Sequence, residues 1–414
     1  MSTQPLFTSE RPSSTHSDER ADEEDALLGN QRKKSDTPRR KYGFWREVGL
    51  FIWAALATAT VIVLAVLLQH RNQSTKEEDN SKPIGKRNLI FMVSDGMGPA
   101  SLSLTRSFRQ YQDTLPIGDI LVLDQHLIGS SRTRSSSSLI TDSAAGATAF
   151  ACGKKSYNGA ISMLPDHTPC GTVLEAAKRA GYMTGLVVTT SITDATPASF
   201  ASHVNIREEE DLIAQQEVGH YPLGRVVDLM LGGGACHFKP NTTSGSCRGD
   251  DLDVIEMAKK DYGWRSIESR KEFDDLQQGG GAVKLPLMGL FADYNFPYEI
   301  DRRNMDDVYP SLEEMARTAL KALEAATTDS DKGFFLMIEG SRIDHAGHGN
   351  DPAAQVHEVL AYDKAFAAVV EFLDKSDDNG VLIATSDHET GGLAVARREF
   401  CIVKTKIAAE FYRT

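Results

Sequence analysis

Ser143 follows Asp142 and precedes a run of small residues in the stretch TDSAAGATAFACG, residues 141–153. A serine hydroxyl is a weak nucleophile at neutral pH unless a base, a metal ion or a positive dipole lowers its pKa. No histidine lies close to it in sequence and no GxSxG elbow is present, so a Ser/His/Asp hydrolase is unsupported. As the opening residue of a small-residue helix, its oxygen would sit near free backbone N–H groups, and the small side chains behind it would let substrate and ions approach. Metal ligands occur elsewhere in the chain. IEGSRIDHAGHGND gathers Glu339, Asp344, His345 and His348 within ten residues, with Gly340, Gly347 and Gly349 loosening the chain around them. SDHETGG adds the adjacent pair Asp387 and His388, and SDGMG turns sharply enough to free the Asp95 carboxylate to bridge two cations. Asp344 and His348, four apart, can point the same way, and carboxylate with imidazole is a normal zinc combination. The two Asp/His groups suggest two transition-metal sites. In TDATPASFASHVNIR, Asp194 and Thr196 offer hard oxygens suited to magnesium, and Arg207, about three helical turns on, offers a bidentate fork for an oxyanion.

These side chains need a scaffold that brings them together. Four short apolar runs each stop at an acid: NLIFMVSD at Asp95, TGLVVTTSITD at Asp194, GFFLMIEG at Glu339 and VLIATSD at Asp387. Each reads as a buried strand, and helical segments such as LEEMARTALKALEAA lie between them. Alternating strands and helices predict an α/β fold with a largely parallel sheet, in which ligands bind outside the carboxyl ends of the strands. All four acids would then share one edge. VVDLMLGGG reads as a further strand ending in a turn at Gly232–Gly234, without the context of a dinucleotide loop.

The chain has 414 residues and a net charge of −13, with no basic stripe after residue 90, which argues against a nucleic-acid partner. Residues 1–47 are polar and read as a disordered cytosolic tail. Residues 48–69 carry no charge over 22 positions, enough for a helix to cross a hydrocarbon core of about 30 Å; a signal peptide would be shorter and nearer the start. Arg32, Lys33, Lys34, Arg39, Arg40, Lys41 and Arg46 precede this transmembrane helix, whereas the following flank is mixed in sign. That asymmetry predicts a single-pass type II protein with residues 70–83 as a lumenal linker and the rest in the lumen. Glu23 with Leu27 and Leu28 resembles an acidic dileucine signal that coat adaptors read for transport to vacuoles. The sequons at Asn72 and Asn241 suit a lumenal face. Cys236 with Cys247 is the first choice for a disulfide and Cys152 with Cys170 the second, a fully reduced set being the alternative.

VSDGMG, TDSAAGATA, DATPA, IEGSRIDHAGH and TSDHETGG, in this order between about residues 84 and 397, resemble the metal-dependent alkaline phosphatases. The membrane-anchored arrangement is most similar to the fungal vacuolar, repressible branch. The resemblance implies an alkaline-phosphatase-like three-layer sandwich over residues 84–397 and a vacuolar-membrane address. It implies two Zn2+ and one Mg2+, a homodimer, and phosphate monoesters as substrates. Ser143 would be the phosphorylated nucleophile, Asp387 and His388 would bind the zinc that activates it, and Asp95 would bridge that zinc and magnesium. Asp344 and His348 would hold the other zinc, Asp194, Thr196 and Glu339 the magnesium, and Arg207 the phosphate oxygens, while His345 occupies a position that is lysine in some bacterial members. The family also supplies a downstream histidine to the zinc at Asp344 and His348, in an HTG- or HGH-like context; no histidine follows His388. Residues 398–414 read as an atypical tail, so the catalytic domain is expected to be truncated at its C-terminus, and a catalytically impaired member is the alternative reading. A sulfatase of the same superfamily is disfavoured, since no Cys/Ser-x-Pro-x-Arg stretch occurs, and a diesterase because Ser143-Ala144-Ala145 differs from the threonine nucleophile common in that class.

Overall fold

The apolar run and the polar residues after it contain no proline or glycine between Gly49 and Pro83, so nothing interrupts a helix once it starts. In the computed structural model, which describes residues 42–79, 85–281 and 283–395, one helix accordingly spans Tyr42–Asp79. It begins earlier than the expected span and continues through most of the expected linker. Within it Trp45–Leu67, with mean hydropathy 2.6, is long and apolar enough to cross a membrane. The hydroxyls of Thr58 and Thr60 donate back to the carbonyls of Ala54 and Leu56 at 2.8 Å, which satisfies them without water. Glu23, Leu27, Leu28, the side chain of Asn72 and the tail from 398 lie outside the described residues.

The chain divides after Lys82 into two units. The second is built on seven strands: β1 Arg87–Ser94, β2 Met183–Ser191, β3 Leu229–Gly233, β4 Arg265–Ile267, β5 Leu287–Leu290, β6 Phe334–Gly340 and β7 Asn379–Thr385. They pair in the order β4-β5-β3-β2-β6-β1-β7, parallel throughout. The four strands read from the acid-ended runs are therefore neighbours, β2-β6-β1-β7. Their registers align the chemistry: Val93 stands opposite Glu339 on one side and Thr385 on the other.

Alternation along the central strands sorts side chains to two faces. Ile90, Met92, Leu336 and Ile338 pack with the apolar faces of helices Leu312–Ala326 and Pro352–Lys375. Phe335, Met337, Leu186 and Val188 pack on the opposite side with helices Val173–Arg179, Ala195–Ala201, Glu210–Val218 and Val254–Tyr262. Helix, sheet and helix layers result, as the sequence predicts. β7 is an edge strand, with Val381 and Ile383 about half exposed (47% and 53%). Both considered disulfides, Cys152–Cys170 and Cys236–Cys247, are present.

Candidate active site

The carboxyl ends of the four central strands converge because the turns after them admit close approach. Gly96, just past β1, has φ +72°, and a Cβ there would lie 2.5 Å from the Asp344 Cα, so only glycine fits. Its N–H donates to Asp387 Oδ1 at 3.1 Å, joining the ends of β1 and β7. The segment after β6, read as loosened by glycines, is instead the helix Arg342–His348, with Gly347 inside it and Gly349 at its C-cap.

Ser143 is the first residue of helix Ser143–Cys152. Asp142 caps that helix by accepting the Ala145 N–H at 2.9 Å and also accepts the Gly159 N–H at 2.8 Å. The Ser143 side chain is buried, with Oγ 3.3 Å from Asp95 Oδ1 and 3.3 Å from His388 Nε2. Asp95, Asp387 and His388 bring ligand atoms within 4.8 Å of one another. Asp387 Oδ1 is taken by the N–H groups of Gly96 and His388, whereas its buried Oδ2 accepts no hydrogen bond and lies 3.3 Å from His388 Nε2.

Burial is the dominant electrostatic fact for these acids, and repulsion between them adds to it at Asp95 and Glu339. Burial, then the charges of Asp387, Glu339 and Asp344, holds the Asp95 carboxyl well above the ordinary carboxylate range. Burial lifts Glu339 to about 8, with Asp194 and Asp387 adding to the rise and the hydroxyls of Ser341 and Thr196 opposing it. Burial also raises Asp387, against His388 and the Gly96 N–H. A buried carboxylate cluster of this kind is stable ionised only with cations to neutralise it. The orphaned Asp387 Oδ2 and the mixed carboxylate, imidazole and hydroxyl donors fit zinc and magnesium.

The remaining residues surround this cluster. Arg207 Nη2 donates to Asp194 Oδ1 at 2.7 Å, and its Nη1 lies 3.9 Å from Asp142 Oδ2. The helix that Asp194 caps ends at Ala201, so Arg207 reaches the site from a loop and not from three further helical turns. Burial would lower the Arg207 pKa, but Asp194 and Asp142 together raise it. Asp344 Oδ2 lies 3.2 Å from His348 Nε2, on adjacent turns of one helix; Asp344 is buried and the His348 side chain is 69% exposed. Among the described residues this pair has no third His, Cys, Asp or Glu at ligand spacing. His345 is half-buried, its Nδ1 accepts from Arg342 Nε at 3.4 Å, and burial with Arg342 and Arg207 lowers its pKa against Asp194 and Asp344.

The sequence profile of the alkaline phosphatase family matches residues 86–410. The chain belongs to that family. It is 61% identical over 322 residues to the repressible alkaline phosphatase of Saccharomyces cerevisiae, covering 76% of this chain and 56% of that one. It is 51% identical over 380 residues to the alkaline phosphatase of Schizosaccharomyces pombe, covering 91% of this chain and 68% of that one. The chain thus spans a little more than half to about two-thirds of the length of these two relatives. The crystal structure of Thermus thermophilus alkaline phosphatase superposes with a TM-score of 0.65 at 34% identity, covering 78% of this chain and 64% of that one. A mutant of the alkaline phosphatase TAB5, at 32% identity, TM-score 0.62 and coverage of 74% and 79%, was solved with Mg bound.

In this alkaline phosphatase family member four supporting residues escaped the sequence reading. Asp142 caps the helix of Ser143 and faces Arg207. Ser341 Oγ donates to Glu339 Oε2 at 2.6 Å, and Thr390 Oγ1 donates to Asp344 Oδ1 at 2.7 Å. Gly146 leaves room for Asp387, whose Cβ would lie 3.1 Å from a Cβ at that position. Each stands inside a motif already singled out, and proximity to a ligand, one to three positions along the chain, was the one hint that the sequence offered.

Proposed function

We propose that the chain is an anchored phosphomonoesterase that works through a phosphoserine on Ser143. Asp387, His388 and Asp95 would hold one zinc beside Ser143, Asp344 and His348 the second, and Asp194, Thr196, Glu339 and Asp95 the magnesium. When bound, these ions supply positive charge that lowers the serine pKa and offsets charge on the leaving oxygen and the phosphoryl group. Ser143 Oγ attacks phosphorus in line; its bond to phosphorus forms as the bond to the ester oxygen breaks. As the first residue of helix Ser143–Cys152, Ser143 stands at the positive end of the helix dipole. Arg207, already oriented by Asp194 and Asp142, forks onto the phosphoryl oxygens as substrate arrives. Water then attacks phosphorus in the second step, inorganic phosphate departs, and the Ser143 hydroxyl is restored. Because these contacts address the phosphoryl group, varied leaving groups are tolerated.

The observation that carries this reading is the position of Ser143 Oγ, 3.3 Å from both Asp95 and His388 at a helix N-terminus. The test is p-nitrophenyl phosphate hydrolysis at alkaline pH with zinc and magnesium present. Ser143→Ala should abolish both turnover and the acid-stable phosphoserine of the trapped enzyme, and activity unchanged by it refutes the assignment. A second reading, a catalytically impaired member, is favoured by the Asp344–His348 pair without a third ligand among the described residues. Metal analysis separates the two: two tightly held zinc ions and one magnesium per chain would sink it.

For location we infer a single-pass type II vacuolar membrane protein with a lumenal catalytic unit, a coat adaptor engaging Glu23, Leu27 and Leu28, and a homodimer. The apolar helix supports the membrane span, and the two disulfides and the exposed sequon residue Asn241 support the lumenal side for the catalytic unit. Glycans at Asn72 and Asn241 that resist endoglycosidase in sealed vesicles and yield to it only once the membrane is opened, with the tail open to protease throughout, are the expected outcome; the reverse sidedness overturns it.

A further inference from the structure

Away from the Ser143 site, helices Pro99–Gln112, Glu299–Arg302 and Pro352–Lys375 contribute to a cavity of about 410 Å³. It shares no lining residue with the site above, and its volume lies within the roughly 300–1,000 Å³ of small-molecule sites. Three acids contribute to its wall, and two of them are committed. Glu299 is gripped by the Arg302 guanidinium at 2.5 and 3.1 Å. Asp363 accepts the N–H groups of Val122 and Leu123 at 3.3 and 2.9 Å. The third, Asp113, is exposed.

The cations divide differently. Arg109 pairs with Asp119, which does not line the cavity. Arg303 and Lys364 are exposed, and neither makes an ion pair among the described residues; Arg303 Nε donates only to the Ile300 carbonyl at 3.2 Å. The half-buried His357, its ring edge-on to Phe108 at 5.7 Å, feels both of them. Burial first, then Arg303 and Lys364, lowers its pKa against the opposing pull of Glu299. At the imidazole the charges of Arg303 and Lys364 thus work against that of Glu299, which the Arg302 guanidinium already holds.

We propose that this cavity binds a soluble phosphorylated small molecule, with Arg303 and Lys364 holding the phosphate oxygens, Gln112 and His357 donating to them, and Leu360 and Ala361 meeting the organic part. A guanidinium fork beside an ammonium suits a phosphate group, whose second charge increases the attraction over that of a carboxylate. The site is separate from the one proposed for catalysis and stands whether or not that reading holds.

Calorimetric titration of the full chain with methylenediphosphonate, a non-hydrolysable diphosphate, tests it. Arg303→Glu with Lys364→Glu should weaken one class of binding at least about tenfold, the effect of losing a charge-assisted contact. The same variant should leave kcat/KM for p-nitrophenyl phosphate unchanged, and Arg207→Ala should retain that class of binding. Lys364→Ala alone, which removes one exposed charge and keeps a good helix former, should weaken it in the same direction and guards against misfolding of the double variant. Isotherms insensitive to Arg303 and Lys364 overturn the proposal. So does binding to phosphatidate-containing vesicles through these two residues without binding of the soluble diphosphonate.

Discussion

Gly146 lies inside helix Ser143–Cys152, where alanine is ordinarily the better helix former by about 0.5–1 kcal/mol. A Cβ at that position would meet the Asp387 Cβ at 3.1 Å, a tight contact that the buried, hydrogen-bonded Asp387 must relieve by moving. The two effects oppose each other in stability but not in geometry. Gly146→Ala should therefore leave the thermal midpoint within a few degrees while lowering kcat/KM for p-nitrophenyl phosphate, both measured on one preparation; unimpaired kinetics would show that Asp387 has slack. A second prediction concerns Glu358, buried on helix Pro352–Lys375 with Oε1 accepting the Glu299 N–H at 2.7 Å. Burial raises its pKa from 4.5 to about 7, against the pull of that N–H and of Arg342. Between those two values the folded chain keeps a proton that the unfolded chain releases, so stability falls as pH rises through the window. The cost is absent below 4.5 and reaches about 3 kcal/mol above 7. Glu358→Gln keeps the acceptor oxygen without the charge. Urea unfolding should find the variant close to wild type at the acid end and more stable at the alkaline end, and parallel pH profiles would contradict the assignment. The ligand side chains themselves were legible because acids and histidines crowd into short motifs, whereas Ser341 and Thr390 were not, since a hydroxyl acquires its role only from the carboxylate that folding sets 2.6 or 2.7 Å away.

Helix Ser143–Cys152 is held at both ends, by the Asp142 cap at its start and by the Cys152–Cys170 bridge at its last residue. The bridge closes a loop with a sequence separation of 18, for which the chain-entropy estimate is about 3 kcal/mol. Cys152→Ser with Cys170→Ser should lower unfolding stability by about that amount, because most of the effect lies in the unfolded chain. Since Ser143 lies at the opposite end of the helix, KM should change little; a loss of activity without a loss of stability would mean that the bridge positions the nucleophile. Elements of this kind were unequally visible beforehand. β1, β2, β6 and β7 were readable as apolar runs stopped by acids, and β3 as the run before Gly232–Gly234. β4 and β5, at three and four residues, were not, because so short a strand carries no periodicity and is defined by its neighbours. Helix Arg342–His348 was hidden by glycines that usually mark turns, yet Gly347 is small because the Thr390 side chain packs over it.

The parallel order β2-β6-β1-β7 carries the acids of four segments far apart in the chain to one edge, so whatever neutralises them ties those segments together. Asp95, Glu339 and Asp387 are all raised by burial, which means that cations must compete with protons for these oxygens. An ion that binds only the folded chain stabilises it by RT ln(1 + [L]/Kd), roughly 4 kcal/mol at a thousandfold excess over Kd. The unfolded chain has no such cluster to offer, since its carboxylates are dispersed and hydrated. Zinc and magnesium together should therefore raise the midpoint of thermal unfolding of the chelator-stripped protein. The gain should shrink as pH falls and these carboxyls keep their protons. The double substitution Asp95→Asn with Asp387→Asn removes two buried acids whose ligand atoms lie within 4.8 Å of each other, and it should make the apo protein more tolerant of burial while abolishing most of the cation response. Differential scanning calorimetry with and without the ions reads both effects at once. A midpoint indifferent to zinc and magnesium in the unsubstituted chain would mean that this edge of the sheet is held together by protonated carboxyls alone.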